Sequence, residues 1–397
     1  MRILIVHNRY QQPGGEDAVV AAEAALLEGR GHTVARLVFD NRAIPARPSP
    51  VAAAQLAVGT TWSRHGARAV RQAIRQHRPD IVHLHNTFPL ISPAACYAAR
   101  AEGVPVVQTL HNFRPICPAA TLYRAGAVCE DCLGRVFPWP GVAHRCYRGS
   151  SAQTTAVAAM IGLHRLLGTW RYRVDRYIAL SQVARDRFIA AGFPPERIVI
   201  KPNFVAPDPG ERRAPGSFFL FVGRLTVEKG VETLLRAWIE HGRQEPLHIV
   251  GDGPLAPQVA AAARVSPAIR YLGRLERPEV LEQMRQARAL IFPSVWYECF
   301  PVTLVEALAC GLPVIASRLG AAAEIIEDGV TGLHVTPGSA PDLVAQVARL
   351  AHDAATAVAL GRAARRVYEA TYTADANYDR LLAIYREAQA SARARHG

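Results

Sequence analysis

Two successive α/β domains, each built on a parallel sheet with helices on both faces, are what this 397-residue chain predicts. Short apolar runs alternate with longer helical patterns, the rhythm of parallel strands joined by crossover helices. That rhythm runs through the first 200 residues and restarts near residue 218. Between the two runs lies KPNFVAPDPGERRAPGS (201–217), rich in Pro and Gly, which reads as an interdomain linker. The length suits two domains, and half the residues are hydrophobic, enough for a core in each.

In the first domain (1–200), strands are expected at 3–7, 34–39, 81–85, 104–109, 176–181 and 198–201. The first is the run ILIVH. A helix over 18–28 follows and stops near Gly29 and Gly31, because glycine ends helices cheaply. Pro79-Asp80 sets up the third strand. No G-x-G-x-x-G follows the first strand, which argues against a dinucleotide dehydrogenase. In the second domain (218–372), strands are expected at 218–222, 248–250, 270–272, 289–292 and 313–316. Residues 373–397 read as a C-terminal helix that packs back towards the first domain.

Composition narrows the function. No run of about 18 uncharged apolar residues appears, so no membrane span is expected. The start, MRILIVHNRY, is charged at once and lacks a signal peptide's apolar stretch, which points to the cytoplasm and reduced thiols. Residues 1–200 hold 24 Arg, no Lys and 12 Asp and Glu, a net +12, whereas residues 201–397 carry a net +1. A basic half attracts phosphate-rich partners: anionic lipid, nucleic acid or a diphosphate substrate. Lys201 and Lys229 are the only lysines. A general preference for Arg explains that scarcity, but not the asymmetry between the halves.

Ligands of such sheets bind beyond the carboxyl ends of strands. The candidate residues lie there: Gly14-Gly15, His111, Gly223-Arg224, Gly251-Asp252-Gly253, Gly273-Arg274 and Glu298. In WYECFPVTLVEALACGLPVIAS (296–317), Pro301 suits the first turn of a helix, and residues 302–309 are good helix-interior residues around Glu306. The helix N-terminus offers free N–H groups to a phosphate. Glu306 would accept from a ribose diol, and Glu298 would reach a sugar beyond the phosphates. The alternative is a solvated Glu306 and a Glu298 that answers the helix dipole. In FVGRLTVEKG (221–230), Arg224 and Lys229 can clamp a diphosphate and steady the charge that grows on it as a bond breaks. Surface salt bridging is the alternative. Both cations are expected to be exposed without donor.

The chain resembles the retaining glycosyltransferases of family 4 over nearly its full length. The resemblance rests on Gly14-Gly15 with Glu16, GRLTVEKG (223–230), GDGP (251–254), YLGRL (271–275), the E-x7-E pair Glu298/Glu306 with EALACGLPVIAS (306–317), and EDGVTGLHV (327–335). It implies a GT-B fold of two Rossmann-like doubly wound domains around a cleft, with the acceptor in the first and a UDP- or GDP-sugar donor in the second. Arg224 and Lys229 match the diphosphate-binding pair. Glu306 matches the ribose-binding glutamate, with Phe300, Val302 and Thr303 beside it, and Glu298 the glutamate near the donor sugar. Gly223, Gly273 and Arg274 match loops at the donor. Gly14-Gly15 match a glycine loop beside the phosphates and acceptor, and His111 a histidine near the reacting centre. No catalytic metal is implied. One departure is Pro301, where the family commonly has Gly; proline lacks an N–H, so a donor to phosphate is missing there. The resemblance implies transfer with retained anomeric configuration, the leaving phosphate taking the acceptor proton, and no covalent role for Glu298.

Two features stand apart. Cys117, Cys129, Cys132 and Cys146 crowd into a Gly/Pro-rich insertion (112–150), and four thiolates would complete a tetrahedral structural zinc site. Unlinked thiols and disulfides are the alternatives. Cys96, Cys299 and Cys310 read as isolated packing residues. Residues 156–177 mix an apolar stripe with Trp170, Tyr172, Arg165, Arg171, Arg173 and Arg176, as an interfacial helix does. Residues 60–78 read similarly, with an ordinary surface helix as the alternative for both. With the basic half, they point to a lipid-linked or glycan acceptor met at the inner membrane face, by a peripheral protein acting in polysaccharide or glycolipid synthesis. A non-catalytic nucleotide-sugar-binding scaffold is the second reading. Nucleic-acid binding is the third, suggested by charge alone and supported by no motif.

Overall fold

The structure is a computed structural model that describes residues 1–11, 14–214 and 216–395. Pro215 of the linker and the last two residues of the C-terminal helix segment lie outside the described residues. The chain divides into two compact units. One holds residues up to Leu122, Glu130–Pro202 and the C-terminal segment from Asn377; the other holds Tyr123–Cys129 and Asn203–Ala376.

In the first unit the strands are β1 (Arg2–Arg9), β2 (Thr33–Asp40), β3 (Ile81–Leu84) and β4 (Val106–Leu110). The insertion adds a two-residue antiparallel pair, β5 (Tyr123–Arg124) and β6 (Ala127–Val128), which clusters with the second unit. Then come β7 (Arg176–Ala179) and β8 (Ile198–Ile200). The six-stranded sheet has the order β2-β1-β3-β4-β7-β8, and every neighbouring pair is parallel. β3 and β4 are buried along their whole length, as strands covered on both faces must be. The chain steps to opposite sides of β1 for β2 and β3, so the switch point lies beyond the carboxyl ends of β1 and β3.

The second unit repeats the plan with β9 (Phe219–Val222), β10 (Leu247–Val250), β11 (Ile269–Gly273), β12 (Ala289–Phe292), β13 (Val314–Ser317) and β14 (Gly332–Val335). Its sheet has the order β11-β10-β9-β12-β13-β14, again wholly parallel, with the switch point beyond β9 and β12. The helix Val302–Ala309 spans the predicted interior residues, with Pro301 as its N-cap rather than in its first turn.

All eleven expected strands are present, with ends that agree within two residues. β14 was not expected, because Gly332 interrupts the pattern. That glycine is needed: a Cβ there would lie 2.2 Å from the Val314 carbonyl oxygen. The stretch 60–78 is not one helix. Pro50–Thr61 ends at Trp62, and Ser63 Oγ caps Arg64–His77 by accepting from the Gly66 N–H. The stretch 156–177 is also broken, into Ser151–Leu166 and Thr169–Tyr172, at Gly168 with φ +62°.

A buried ion pair sits inside the first unit. Glu23, on the helix Gly15–Gly29, is 1% exposed, and Lys201, just after β8, is also 1% exposed. The Lys201 ammonium donates to Glu23 Oε2 at 3.0 Å and to Asn377 Oδ1, on the C-terminal helix Ala374–Arg393, at 3.2 Å. Burial opposes the Glu23 charge, but Lys201 and His83 hold its carboxyl well below the usual range. Lys201→Ala should therefore lower stability by about 3–5 kcal/mol, since it strands a buried carboxylate. Urea unfolding of the full chain measures the loss, and a change under 1 kcal/mol would contradict the role given to this pair.

Candidate active site

In the second unit the sequence-predicted residues gather at the switch point. Gly223-Arg224 follow β9, and the loop from Pro293 to Pro301 follows β12. The approach of these loops is set by glycine. Gly230 has φ +74°, and a Cβ there would lie 1.9 Å from the Pro293 carbonyl oxygen. Gly251 has φ +143°, with a Cβ position 1.8 Å from the Gly223 oxygen. Side chains at either position would push the loops apart.

Glu298 is 8% exposed, and its Oε1 accepts three hydrogen bonds: a short one from Lys229 Nζ, one from Ser294 Oγ at 3.0 Å and one from Trp296 Nε1 at 2.9 Å. Lys229 Nζ also lies 5.5 Å from the Trp296 ring centroid. The expectation that both cations are exposed is half wrong. Arg224 is exposed, whereas the Lys229 side chain keeps 22% of its exposure and is ion-paired. A carboxylate oxygen with three donors is a poor nucleophile, because its lone pairs are engaged. It is instead a fixed negative point that holds an ammonium in place.

Glu306 lies inside the helix, its side chain 12% exposed, and its Oε1 accepts from Arg277 Nε at 2.9 Å. Burial raises its pKa, and Arg277 offsets part of the rise. At the N-terminus of this helix the Leu304 N–H already bonds to the Pro301 carbonyl. The Val302 and Thr303 N–H groups remain the open first-turn donors that helix geometry leaves. The amide lost to Pro301 precedes them. The Phe300 and Tyr372 rings lie tilted to each other with centroids 6.0 Å apart. Gly273 ends β11 with φ +66°, and Arg274 beyond it is exposed.

In the first unit, Gly14 is the N-cap of the helix Gly15–Gly29, and its N–H donates to Asp17 Oδ2 at 2.9 Å. His111 follows β4 and lines a pocket with His85, Asn86, Asn112, Arg114 and Trp170. Its Nε2 lies 2.9 Å from His85 Nδ1. Burial, then His85, pushes the His111 pKa well below the ordinary value.

Several residues here were missed from sequence, and Glu16 was named there only beside the glycine pair. Asn112 Nδ2 donates to Tyr10 at 2.9 Å and to Glu16 Oε2 at 3.4 Å. Burial and neighbouring Asp17 lift the Glu16 carboxyl to about 8, so it is largely protonated at neutral pH. The Arg114 guanidinium lies 4.4 Å from the Phe88 ring centroid and 4.8 Å from that of Tyr147. Glu23, His83 and His85 form a buried group whose ligand atoms lie within 4.8 Å of one another. The alternating His83 and His85 in the buried strand motif IVHLHN was the available signal, since histidines at strand spacing share a face.

Of the four insertion cysteines, Cys117 and Cys132 are buried and Cys129 and Cys146 half-buried; none of the seven cysteines forms a disulfide. Cys96, Cys299 and Cys310 are buried.

Residues 13–209 match the family model described as Glycosyltransferase Family 4, and residues 216–353 the model described as Glycosyl transferases group 1. The chain is 31% identical to a glycogen synthase of Mycobacterium tuberculosis over 319 residues, 78% of this chain and 70% of that one. It is 27% identical to the phosphatidyl-myo-inositol mannosyltransferase of the same species, over 93% of both chains. Anabaena Alr3699/HepE, solved in complex with UDP, superposes with a TM-score of 0.68 at 18% identity, covering 97% of this chain and 99% of that one. The two parallel-sheet units are thus those of the GT-B fold.

The Lys229–Glu298 pair gives the two cations different stability signatures. Lys229→Ala should lower the melting temperature by several degrees, because it leaves a buried carboxylate short of its cation. Arg224→Ala, at an exposed residue, should leave it within about a degree. Thermal unfolding of both variants checks this, and equal effects would remove the distinction.

Proposed function

This chain belongs to the glycosyltransferases of family 4 and group 1, and from that premise we propose that it transfers a sugar, with retention of anomeric configuration, from a UDP- or GDP-sugar to a lipid-linked or glycan acceptor in cell-surface polysaccharide or glycolipid synthesis. The observation that carries this reading is the second unit's switch point. There, a buried carboxylate holds one ammonium, a second cation is exposed, and a helix N-terminus offers two amides. Such an array suits a diphosphate whose negative charge grows as the bond from sugar C1 to phosphate oxygen breaks. The new bond forms from C1 to the acceptor oxygen on the same face, and the acceptor proton passes to the leaving phosphate. Arg224 and Lys229 supply the positive charge that a metal would otherwise provide. Glu298 Oε2 is left to accept from a sugar hydroxyl, and Glu306 from the ribose. Gly223, Gly273 and Arg274 border the nucleotide, and Gly14, Gly15 and His111 serve in the first unit. The UDP bound by the Anabaena relative and the lipid named in the mannosyltransferase relative agree with this reading.

The test is a transfer screen over UDP- and GDP-sugars in the presence of EDTA. Turnover should persist without added divalent metal. Lys229→Ala and Arg224→Ala should each reduce it by about a hundredfold or more. Binding of a nucleotide sugar without transfer to any acceptor class, or hydrolysis, would favour the scaffold reading.

We further propose peripheral attachment to an anionic membrane, and exposed side chains of the first unit support this reading. Leu166 is 73% exposed and Trp139 56%, and Phe137, Leu167 and Tyr172 are exposed too. The helix Trp139–Ala143 packs on Ser151–Leu166, so these side chains belong to one region. Exposed Arg135, Arg145, Arg148 and Arg171 accompany them. The arginines differ from those expected. Arg165 donates to the carbonyls of Arg135 and Ala191, Arg173 lies over the Tyr97 ring and Arg176 pairs with Glu387, while Trp170 is buried. Apolar side chains among basic ones suit an anionic leaflet, where each cation adds about 1 kcal/mol. No helix among the described residues is long and apolar enough to cross a membrane. Co-sedimentation with anionic liposomes at low salt, and release at high salt, is expected. Trp139→Ser with Leu166→Ser and Arg171→Ala should weaken it; equal binding to neutral vesicles would count against this surface.

We propose a structural zinc ion on Cys117, Cys129, Cys132 and Cys146 from the sequence alone: among the described residues the one group of His, Cys, Asp or Glu side chains close enough to share a metal is Glu23, His83 and His85, and it includes no cysteine. Metal analysis of freshly reduced protein should find about one zinc per chain, lost in Cys129→Ser with Cys132→Ser. Zinc-free protein of unchanged stability would leave these thiols as packing residues.

A further inference from the structure

We propose that Glu23 and His85 form a positioning chain that fixes His111 with its proton on Nε2 and a bare lone pair on Nδ1, so that the substrate group His111 meets is a hydroxyl or other hydrogen-bond donor and not an anion. The inference rests on the reading of His111 as a residue of the transfer site.

The geometry runs outward from the core. His111 Nε2 and His85 Nδ1 face each other at 2.9 Å. Both rings are neutral near pH 7: burial and His83 push His85 down to about 3, and burial and His85 push His111 well below its ordinary value. Two neutral imidazoles in such contact share one proton, carried by one of the facing nitrogens. The other end of His85 decides which. His85 Nε2 lies 3.5 Å from Glu23 Oε1. Glu23 is ionised, because Lys201 Nζ sits 3.0 Å from its second oxygen. A carboxylate oxygen favours an N–H facing it and repels a lone pair, so the His85 proton belongs on Nε2. His85 Nδ1 is then an acceptor, and His111 Nε2 must be the donor. The remaining nitrogen, His111 Nδ1, makes no hydrogen bond among the described residues.

The other charged neighbours leave this order intact. His83 Nδ1 lies 3.1 Å from Glu23 Oε1, but His83 also meets the hydroxyls of Tyr385 and Thr109, each at 2.8 Å. Hydroxyls rotate to suit either tautomer. The His7 ring is 6.4 Å from that of His85, and its proton is set by Asp17, 2.8 Å from His7 Nε2. A divalent ion held by Glu23, His83 and His85 would add two positive charges beside an ammonium that already balances the carboxylate. The buried charge count favours a fixed proton at this spot.

The test reads the tautomer directly. In the full-length protein with 15N-labelled histidine, long-range 1H–15N correlation at pH 7 should show His111 protonated on Nε2 and bare on Nδ1, assigned through His111→Gln. His85→Asn keeps a carbonyl oxygen near the Nδ1 position and should retain the tautomer and most of the turnover. His85→Ala should mix the tautomers and lower kcat about tenfold or more, with little change in donor KM. Protonation of His111 on Nδ1, an imidazolium at pH 7, or one equivalent of divalent metal lost in His83→Ala would each overturn the proposal. The spectrum needs no substrate, so it stands even if His85→Ala fails to fold. Full turnover by His111→Gln with the tautomer as stated would instead sink the placement of His111 at the transfer site.

Discussion

A carboxylate taken out of water must be met by a cation or give up its charge, and the two that lysine meets organise this protein. Glu23 is met by Lys201, and Glu298 by Lys229. These are the only lysines in a chain that otherwise uses arginine. The choice is physical. An ammonium is compact and rotates its donors freely, so it fits a narrow interior, whereas a guanidinium is planar and wide. In the first unit, Lys201 ties the first helix to the residues after β8 and to the C-terminal helix through Asn377. In the second, Lys229 is held where a diphosphate would need it, between a carboxylate and the Trp296 ring.

The same constraint makes the first unit's polar interior functional. Once Lys201 keeps Glu23 ionised, the carboxylate orders the imidazoles around it, and that order reaches His111. Glu16 is the contrasting case. Burial and Asp17 raise its pKa more than its amide neighbour Asn112 and the Arg114 charge lower it, so it is largely protonated. Two glutamates on one helix, seven residues apart, therefore hold opposite charge states. Neither state follows from residue type; each follows from which cation reaches the side chain.

Basic residues play two roles that composition merges. The net charge of the first 200 residues suggested a surface for anionic partners. Arg165, Arg173 and Arg176 turn out to hold carbonyls, a ring and a carboxylate within the first unit. Arg135, Arg145, Arg148 and Arg171 are among the exposed ones, as are the apolar Trp139 and Leu166. Exposure, rather than number, decides which arginines are open to an anionic partner.

The fold and much of the second unit's candidate site were legible in the order of residues alone. Strand–helix alternation is a local pattern, and residues just after parallel strands share one edge whatever the side chains are, so Gly223, Arg224, Glu298 and the helix Val302–Ala309 could be placed from their spacing. β14 escaped because Gly332 reads as a break, although packing against Val314 demands it. Partnership was not legible in this way. That Lys229 is paired while Arg224 is exposed, that Glu23 meets Lys201 across 178 positions, and that His85 lies between Glu23 and His111, are contacts between residues distant in the chain. Local pattern cannot encode them, because burial and charge balance are set by whatever the folded chain brings within a few ångströms.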